Sequence, residues 1–322
     1  MPNTQRLVIL SVAFSFCIWG AVGVLTGALL PDIVKEFALS VTQAGLLIGF
    51  WSASFVVGSW ISARLVRQIP LKTILVGASF ATLISFAGLY LSGSMAPFSA
   101  AFGMVGVMMG ISVTIGHSLV GAAFPDERTA MLGALDVVFS LGSICAPLGV
   151  MVVTFLGLEW RLLYAALSGM FALLVAGLVL CLPDIASAQD RGENPGRPRA
   201  GFHGTPFLLF LGLTGLFLGT VEWAQNSWIV SFALDRGTSV FNAQIGFATY
   251  LAGMLLARVL TVLMSGWLQT ARISIGLLCL ALIGNLTLLL WIGTPAFLIG
   301  NFLIGIGIGA IFPIALGRAM HF

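Results

Sequence analysis

The chain has 322 residues, 59% of them hydrophobic and only 8% charged, with a formal net charge of +3. A soluble domain is about a quarter charged, so this composition excludes a soluble globule of such size, and the lack of ~10-residue alternating segments excludes a membrane β-barrel. Apolar runs recur, each able to cover the ~20 residues that a helix needs to cross hydrocarbon, which makes the class an all-α polytopic membrane protein.

Hydropathy and turn signals place ten spans. The first covers 7–30; its start has the look of a secretory signal, but the apolar run continues to Leu30, too long for one, so it reads as a retained span. Trp19 lies deep within it. Spans two, three and four cover 41–64, 71–93 and 97–123. Thr114, His117 and Ser118 make a polar patch on the fourth; a lone histidine of this kind is a satisfied core residue more often than a proton relay. Span five covers 130–157 and carries Asp136, with Ser140 and Ser143 following at i+4 and i+7 on one stripe. Span six covers 160–182.

Residues 183–204 read "PDIASAQDRGENPGRPRAGFHG". Such a segment cannot bury enough apolar surface to fold and is expected to be a linker. Four more spans follow, at 206–232, 241–268, 273–293 and 296–318. The expected division is a six-helix bundle (1–182), a cytoplasmic linker (183–204) and a second bundle of four spans (205–322), two short of six and so read as truncated.

Span seven holds "LFLGTVEWAQNSWIVSF", with Glu222 inside an apolar run. A carboxylate near a helix centre costs ~2.5–3.5 kcal/mol on insertion scales, so it faces a cavity or a partner. Gln225 and Asn226 stand at i+3 and i+4 on the same face, and Trp228 extends that surface. Acid, amide and indole suit a hydroxylated ligand; a structural hydrogen bond is the competing reading. Arg258, in span eight, needs an acidic partner or a path to water. It is expected to pair with Asp136 when the cytoplasmic side closes and to separate when it opens, with Glu222, farther outward, as the competing partner.

The four cysteines fall within spans without metal spacing and read as packing residues. "GMVGVMMG" and "GNFLIGIGIGA" follow no strand and read as close helix contacts, and Pro313 is expected to kink span ten. Trp160 and Trp291 read as interfacial residues. No catalytic or nucleotide motif occurs, so an enzyme is not expected, nor a cofactor, a metal or nucleic acid. With a cytoplasmic N-terminus, ten of the fourteen lysines and arginines lie on the inner side (Arg6, Arg64, Arg67, Lys72, Arg128, Arg191, Arg197, Arg199, Arg272 and Arg318) and three (Lys35, Arg161 and Arg236) outside.

Six spans, a linker and further spans suggest the major facilitator architecture, two six-helix halves with a mid-membrane site between them. The stretch "WGAVGVLTGALLPDIVKEFALSVTQAGL", Trp19 to Leu46, resembles the fucose permease-type branch of that superfamily, with its Trp-Gly, its Leu-Leu-Pro and its Gln-Ala-Gly-Leu. "GSICAPLG", "GMLLARVL" and "IFPIALG" resemble it more weakly. The branch carries an Asn-Asp pair where this chain has Thr26 and Gly27, and a span-four glutamate where it has Thr114 or Ile115. The resemblance implies a secondary active transporter of a small polar, sugar-like solute, proton-coupled and acting by alternating access as a monomer in the plasma (inner) membrane. With the usual acids absent, Glu222 is expected to carry the proton, and Trp19, Thr26, Thr114 and His117 join Glu222, Gln225, Asn226 and Trp228 as expected substrate or proton contacts. A non-transporting sensor, or an inactive truncated transporter, is the alternative.

Overall fold

The computed structural model describes residues 3–124, 128–182, 205–263, 271–290 and 293–311. They form ten α-helices: α1 (Asn3–Glu36), α2 (Val41–Gln68), α3 (Leu71–Leu91), α4 (Met95–Ala123), α5 (Arg128–Phe155), α6 (Leu162–Cys181), α7 (Thr205–Asp235), α8 (Val240–Leu263), α9 (Ala271–Leu290) and α10 (Thr294–Gly309). Each expected span meets one helix. The expected linker at 183–204, Trp291, Pro313 and Arg318 lie outside the described residues. Eight of these helices are long and apolar enough to cross a membrane. Their outward faces are apolar as well: Phe155, Leu180, Leu173 and Leu46 are all exposed. A water-soluble bundle would carry charge there.

Pro31 marks the expected end of span one, yet α1 continues to Glu36. Proline removes one backbone bond, and packing on both sides of it holds the helix together: Leu29, Leu30 and Ile33 are fully buried. The short turn that follows contains Ala38 with φ 48°. Ser40 then caps α2. Its hydroxyl accepts from the Gln43 amide at 3.3 Å, and the Gln43 side chain accepts from the Ser40 amide at 2.8 Å, a reciprocal capping box.

The chain packs as two compact units. The first comprises Met1–Trp19, Pro31–Leu132 and Val152–Gly196; the second comprises Gly20–Leu30, Gly133–Met151 and Arg197–Phe322. The central parts of α1 and α5 therefore belong to the second unit, a grouping that a cut at the linker does not anticipate.

In the first unit α2 packs on α4, and α3 on α4 and α6. The buried positions of α2, namely Ala44, Leu47, Trp51, Ser54, Gly58 and Ser62, recur every three or four residues along one face. The ends of α1, α3 and α6 meet at Arg161. Its guanidinium pairs with Glu36 (Nε to Oε1, 3.0 Å) and donates to the carbonyls of Leu89, Tyr90 and Ser92 at 3.2, 3.2 and 2.6 Å. Those carbonyls close α3 and would otherwise lack donors. In the second unit α8 packs on α10 and α7, and α9 on α10.

Candidate functional site

Within the second unit, α7 carries Glu222 near its middle, and α8 carries Arg258. The Arg258 Nη2 donates to Glu222 Oε1 at 3.1 Å, and Nη1 donates to Ser140 Oγ of α5 at 2.7 Å. The two charged side chains retain 13% and 29% exposure, and an isolated charge at such depth is disfavoured. The Ser140 hydroxyl in turn donates to the Asp136 carbonyl at 2.8 Å. Arg258 thus meets α5 at Ser140, one turn deeper than the expected Asp136, and the ion pair it makes here is with Glu222. Rotational phase explains the choice. Glu222 and Asn226 share a face of α7, while Tyr250, Met254 and Arg258, four residues apart, share a face of α8.

Close backbone approach sets the geometry. A Cβ on Gly27 of α1 would collide with the Asn226 carbonyl of α7, and one on Gly20 would collide with the Phe139 carbonyl of α5. Only glycine lets helices pass this near. The Ser143 hydroxyl spans the second crossing, donating to the carbonyls of Gly20 at 3.1 Å and Phe139 at 3.0 Å. Gln244 Nε2 of α8 donates to the Ala28 carbonyl of α1 at 2.8 Å. The absence of an acid at position 27 therefore has a structural cause: α7 fills that space.

Glu222, Asn226, Arg258, Ser140 and Ser143 line a small cavity, closed by Val24, Phe139, Leu251 and Met254. Its volume of about 10 Å³ has room for about one water. Buried polar atoms without hydrogen-bond partners among the described residues include Asn226 Oδ1 and Arg258 Nε beside this cavity, and Gln244 Oε1 and the Tyr250 hydroxyl elsewhere on α8. Tyr250 stands two turns before Arg258 on α8 and is fully buried. A buried polar group left unsatisfied costs ~1–3 kcal/mol, so each of these atoms calls for an explanation. A ligand pocket for a drug-sized molecule occupies ~300–1,000 Å³, far above this volume.

The other expected contacts fall elsewhere. Gln225 and Trp228 are half-buried on α7, and Thr26 is half-buried on α1; none lines the cavity. Trp19 belongs to the first unit, fully buried, with its ring edge-to-face on Phe171 at 5.0 Å. Thr114 and His117 also belong to the first unit. The Nδ1 of His117 bonds the Val113 carbonyl at 2.9 Å, and its ring meets Phe16 at 4.9 Å. Ser143 and Tyr250 are polar members of the second-unit cluster that sequence reasoning did not place in a site. Ser143 was legible on the Asp136 stripe, and Tyr250 stood at i−8 from Arg258 on the same helix face.

A family model described as Major Facilitator Superfamily matches residues 9–322. Protein TsgA of Salmonella arizonae is 27% identical over 249 residues, covering 76% of this chain and 62% of the relative. A TsgA homologue of Citrobacter koseri is 26% identical over 246 residues, with the same coverage of 76% and 62%. This chain thus spans less than two thirds of the length of these relatives. Among solved structures, a bacterial homologue of the human lysosomal transporter Spinster, inward-facing and occupied, aligns with a TM-score of 0.71 at 18% identity, covering 97% of this chain and 74% of that one. A D-xylose-proton symporter aligns with a TM-score of 0.72 at 14% identity, covering 98% and 88%. At such identities the likeness shows the fold alone.

Proposed function

The chain belongs to the major facilitator superfamily, a family of transporters rather than enzymes, and from that premise we propose that it is a secondary active transporter of a small polar, sugar-like solute. It works by alternating access as a monomer in the plasma membrane, with its N-terminus and the 183–204 linker in the cytoplasm and its two halves at 1–182 and 205–322. The solute moves together with a proton, and Glu222 is the proton carrier.

The observation that carries this reading is the Glu222–Arg258 pair, set in apolar helices with Asn226 Oδ1 and Arg258 Nε buried without partners. Ionisable residues at membrane depth mark solute and proton paths by default, and an acid held against a permanent cation is a natural two-state element. The sugar-like class is supported by the resemblance at Trp19 to Leu46 and by the fold shared with a D-xylose-proton symporter. Cytoplasmic termini are supported by the excess of lysine and arginine on that side.

The test is uptake into proteoliposomes under an imposed pH gradient, by the 322-residue chain and by a version extended to twelve spans. Accumulation that is lost in Glu222→Gln, while exchange down a gradient survives, supports the reading. Accumulation that persists in Glu222→Gln removes Glu222 as the coupling residue. Uptake absent from both versions leaves the non-transporting sensor.

A further inference from the structure

We infer that the solute taken by this site is an anion, a small hydroxylated compound carrying a carboxylate, which replaces Glu222 on Arg258 while Glu222 takes up one proton. The inference rests on the reading of the Glu222–Arg258 cluster as the transport site, and it narrows that site's substrate from sugar-like to acidic.

Charge balance is the first argument. A guanidinium stays protonated at any pH the protein meets. In this structure its counter-charge is Glu222, at 3.1 Å, with both side chains mostly buried. Were Glu222 to accept a proton with nothing else changed, Arg258 would be left as an uncompensated buried cation, which is strongly disfavoured. A neutral sugar does not restore the balance. A carboxylate does: Glu222⁻ with Arg258⁺ and protonated Glu222 with Arg258⁺ and the solute anion both sum to zero. With Glu222 protonated and a neutral substrate bound, Arg258 would have to find another carboxylate, whereas a solute anion supplies one at the site itself.

Geometry is the second argument. Glu222 holds Arg258 by a single bond, from Nη2, while Nε is buried without a partner. An arginine binds carboxylates most strongly through two parallel N–H donors. A solute carboxylate that takes Nε together with Nη2 makes the forked contact that Glu222 does not. Asn226 Oδ1, on a side chain 5% exposed, lines the same cavity without a donor. It suits a hydroxyl of the solute.

The exchange breaks no covalent bond of the solute. One proton passes from water to a Glu222 carboxylate oxygen, the Glu222–Arg258 contact parts, and the carboxylate–Arg258 contact forms; release on the far side reverses all three. The groups around Glu222 are Arg258 and Tyr250 from α8, and Ser140 from α5 with Asp136 one turn before it. From α1 comes only Val24 among the cavity-lining residues.

Two arms test the inference with the full chain in nanodiscs. In the first, acetate is the probe and thermal unfolding the readout. Glu222→Gln empties the fork, so acetate raises its melting temperature, whereas Glu222→Gln combined with Arg258→Gln does not respond; equal responses of the two variants overturn the inference. The second arm uses wild type, so it does not depend on how a variant folds. D-glucuronate and D-glucose, which differ at one carboxylate, are titrated by tryptophan fluorescence across pH. Glucuronate binds more tightly than glucose, and its affinity falls about tenfold per pH unit on the alkaline side, the signature of one linked proton. Tighter binding of glucose, lost in Arg258→Gln, keeps the transport site and overturns the anion. Binding of either sugar that ignores both Arg258→Gln and Glu222→Gln overturns the site itself. Where neither sugar binds, the acetate arm decides.

Discussion

Gly27→Ala measures how tightly α1 and α7 press together beside the ion pair. An ideal Cβ at Gly27 lies 2.8 Å from the carbonyl carbon of Asn226 and 3.0 Å from the Ser227 Cα, with the carbonyl oxygen nearer still. Ordinary contact begins at 3.4 Å and the carbonyl oxygen sets the demand, so the α7 backbone must retreat by more than an ångström. Backbone cannot rotate aside as the end of a side chain can. Overpacking of this kind costs ~1–3 kcal/mol, partly offset by the ~0.8–1 kcal/mol that alanine gains over glycine in a helix. The net expectation is a loss of up to ~2 kcal/mol, worth as much as a few degrees of melting temperature in a chain of this size. Gly219→Ala on α7 is the control. A Cβ there meets nothing within 4 Å, so that variant is neutral or more stable by up to ~1 kcal/mol. The retreat of α7 also moves Asn226 and, one turn earlier, Glu222 against the 3.1 Å bond to Arg258, so uptake falls in Gly27→Ala and holds in Gly219→Ala. Thermal unfolding and proteoliposome uptake read both effects. A Gly27→Ala protein as stable and as active as Gly219→Ala refutes the close approach.

In a double-mutant cycle, Glu222→Gln and Arg258→Gln each cost ~2–4 kcal/mol, somewhat under the ~3–5 kcal/mol of a fully buried pair, since Glu222 keeps 29% exposure. The double variant costs less than the two together, and strict additivity in denaturant unfolding would show that the pair carries no coupling. Arg161→Lys loses ~1–3 kcal/mol, because an ammonium cannot serve three carbonyls and the Glu36 carboxylate from one planar fork; a wild-type melting temperature contradicts this account of the first unit. Ser143→Ala removes the bond across to Gly20 and lowers stability by ~0.5–1.5 kcal/mol. Ser140→Ala instead frees one Arg258 donor, so it changes solute affinity more than stability; the reverse ordering would exchange the roles given to these two serines.

The positions of the helices were legible in the sequence because lipid crossing demands long apolar runs, and turns interrupt them visibly. The face shared by Glu222 and Asn226 was legible too, from a spacing of four. Arg258 was expected on Asp136, with Glu222 as the competitor, and the structure pairs it with Glu222, because hydropathy fixes a residue's depth and leaves its rotation about the helix axis open. Ser140 decides that rotation, and its hydroxyl gives no hydropathy signal. Trp19 shows the opposite limit. A deep indole serves a sugar or a core equally well on paper, and only its contact with Phe171 separates the two. Gly27 was seen as a missing acid. What it signifies, the passage of another helix's backbone, depends on a residue 199 positions further along the chain.

That separation has a consequence for biogenesis. Residues 20–30 of α1 are made first, yet their partners come late: Ser143 for Gly20, Asn226 for Gly27 and Gln244 for Ala28. Contacts this distant in sequence close slowly, since much chain entropy is lost before they return anything. A nascent chain that has released only α1 to α6 already offers Ser143 to Gly20 but holds Gly27 and Ala28 without Asn226 and Gln244, and the surface around those two residues rests against lipid until α7 and α8 arrive. α1 enters the bilayer ahead of α7 and α8 yet is locked only by them, and a ribosome that stalls between α6 and α7 leaves behind a product whose α1 is still unfinished.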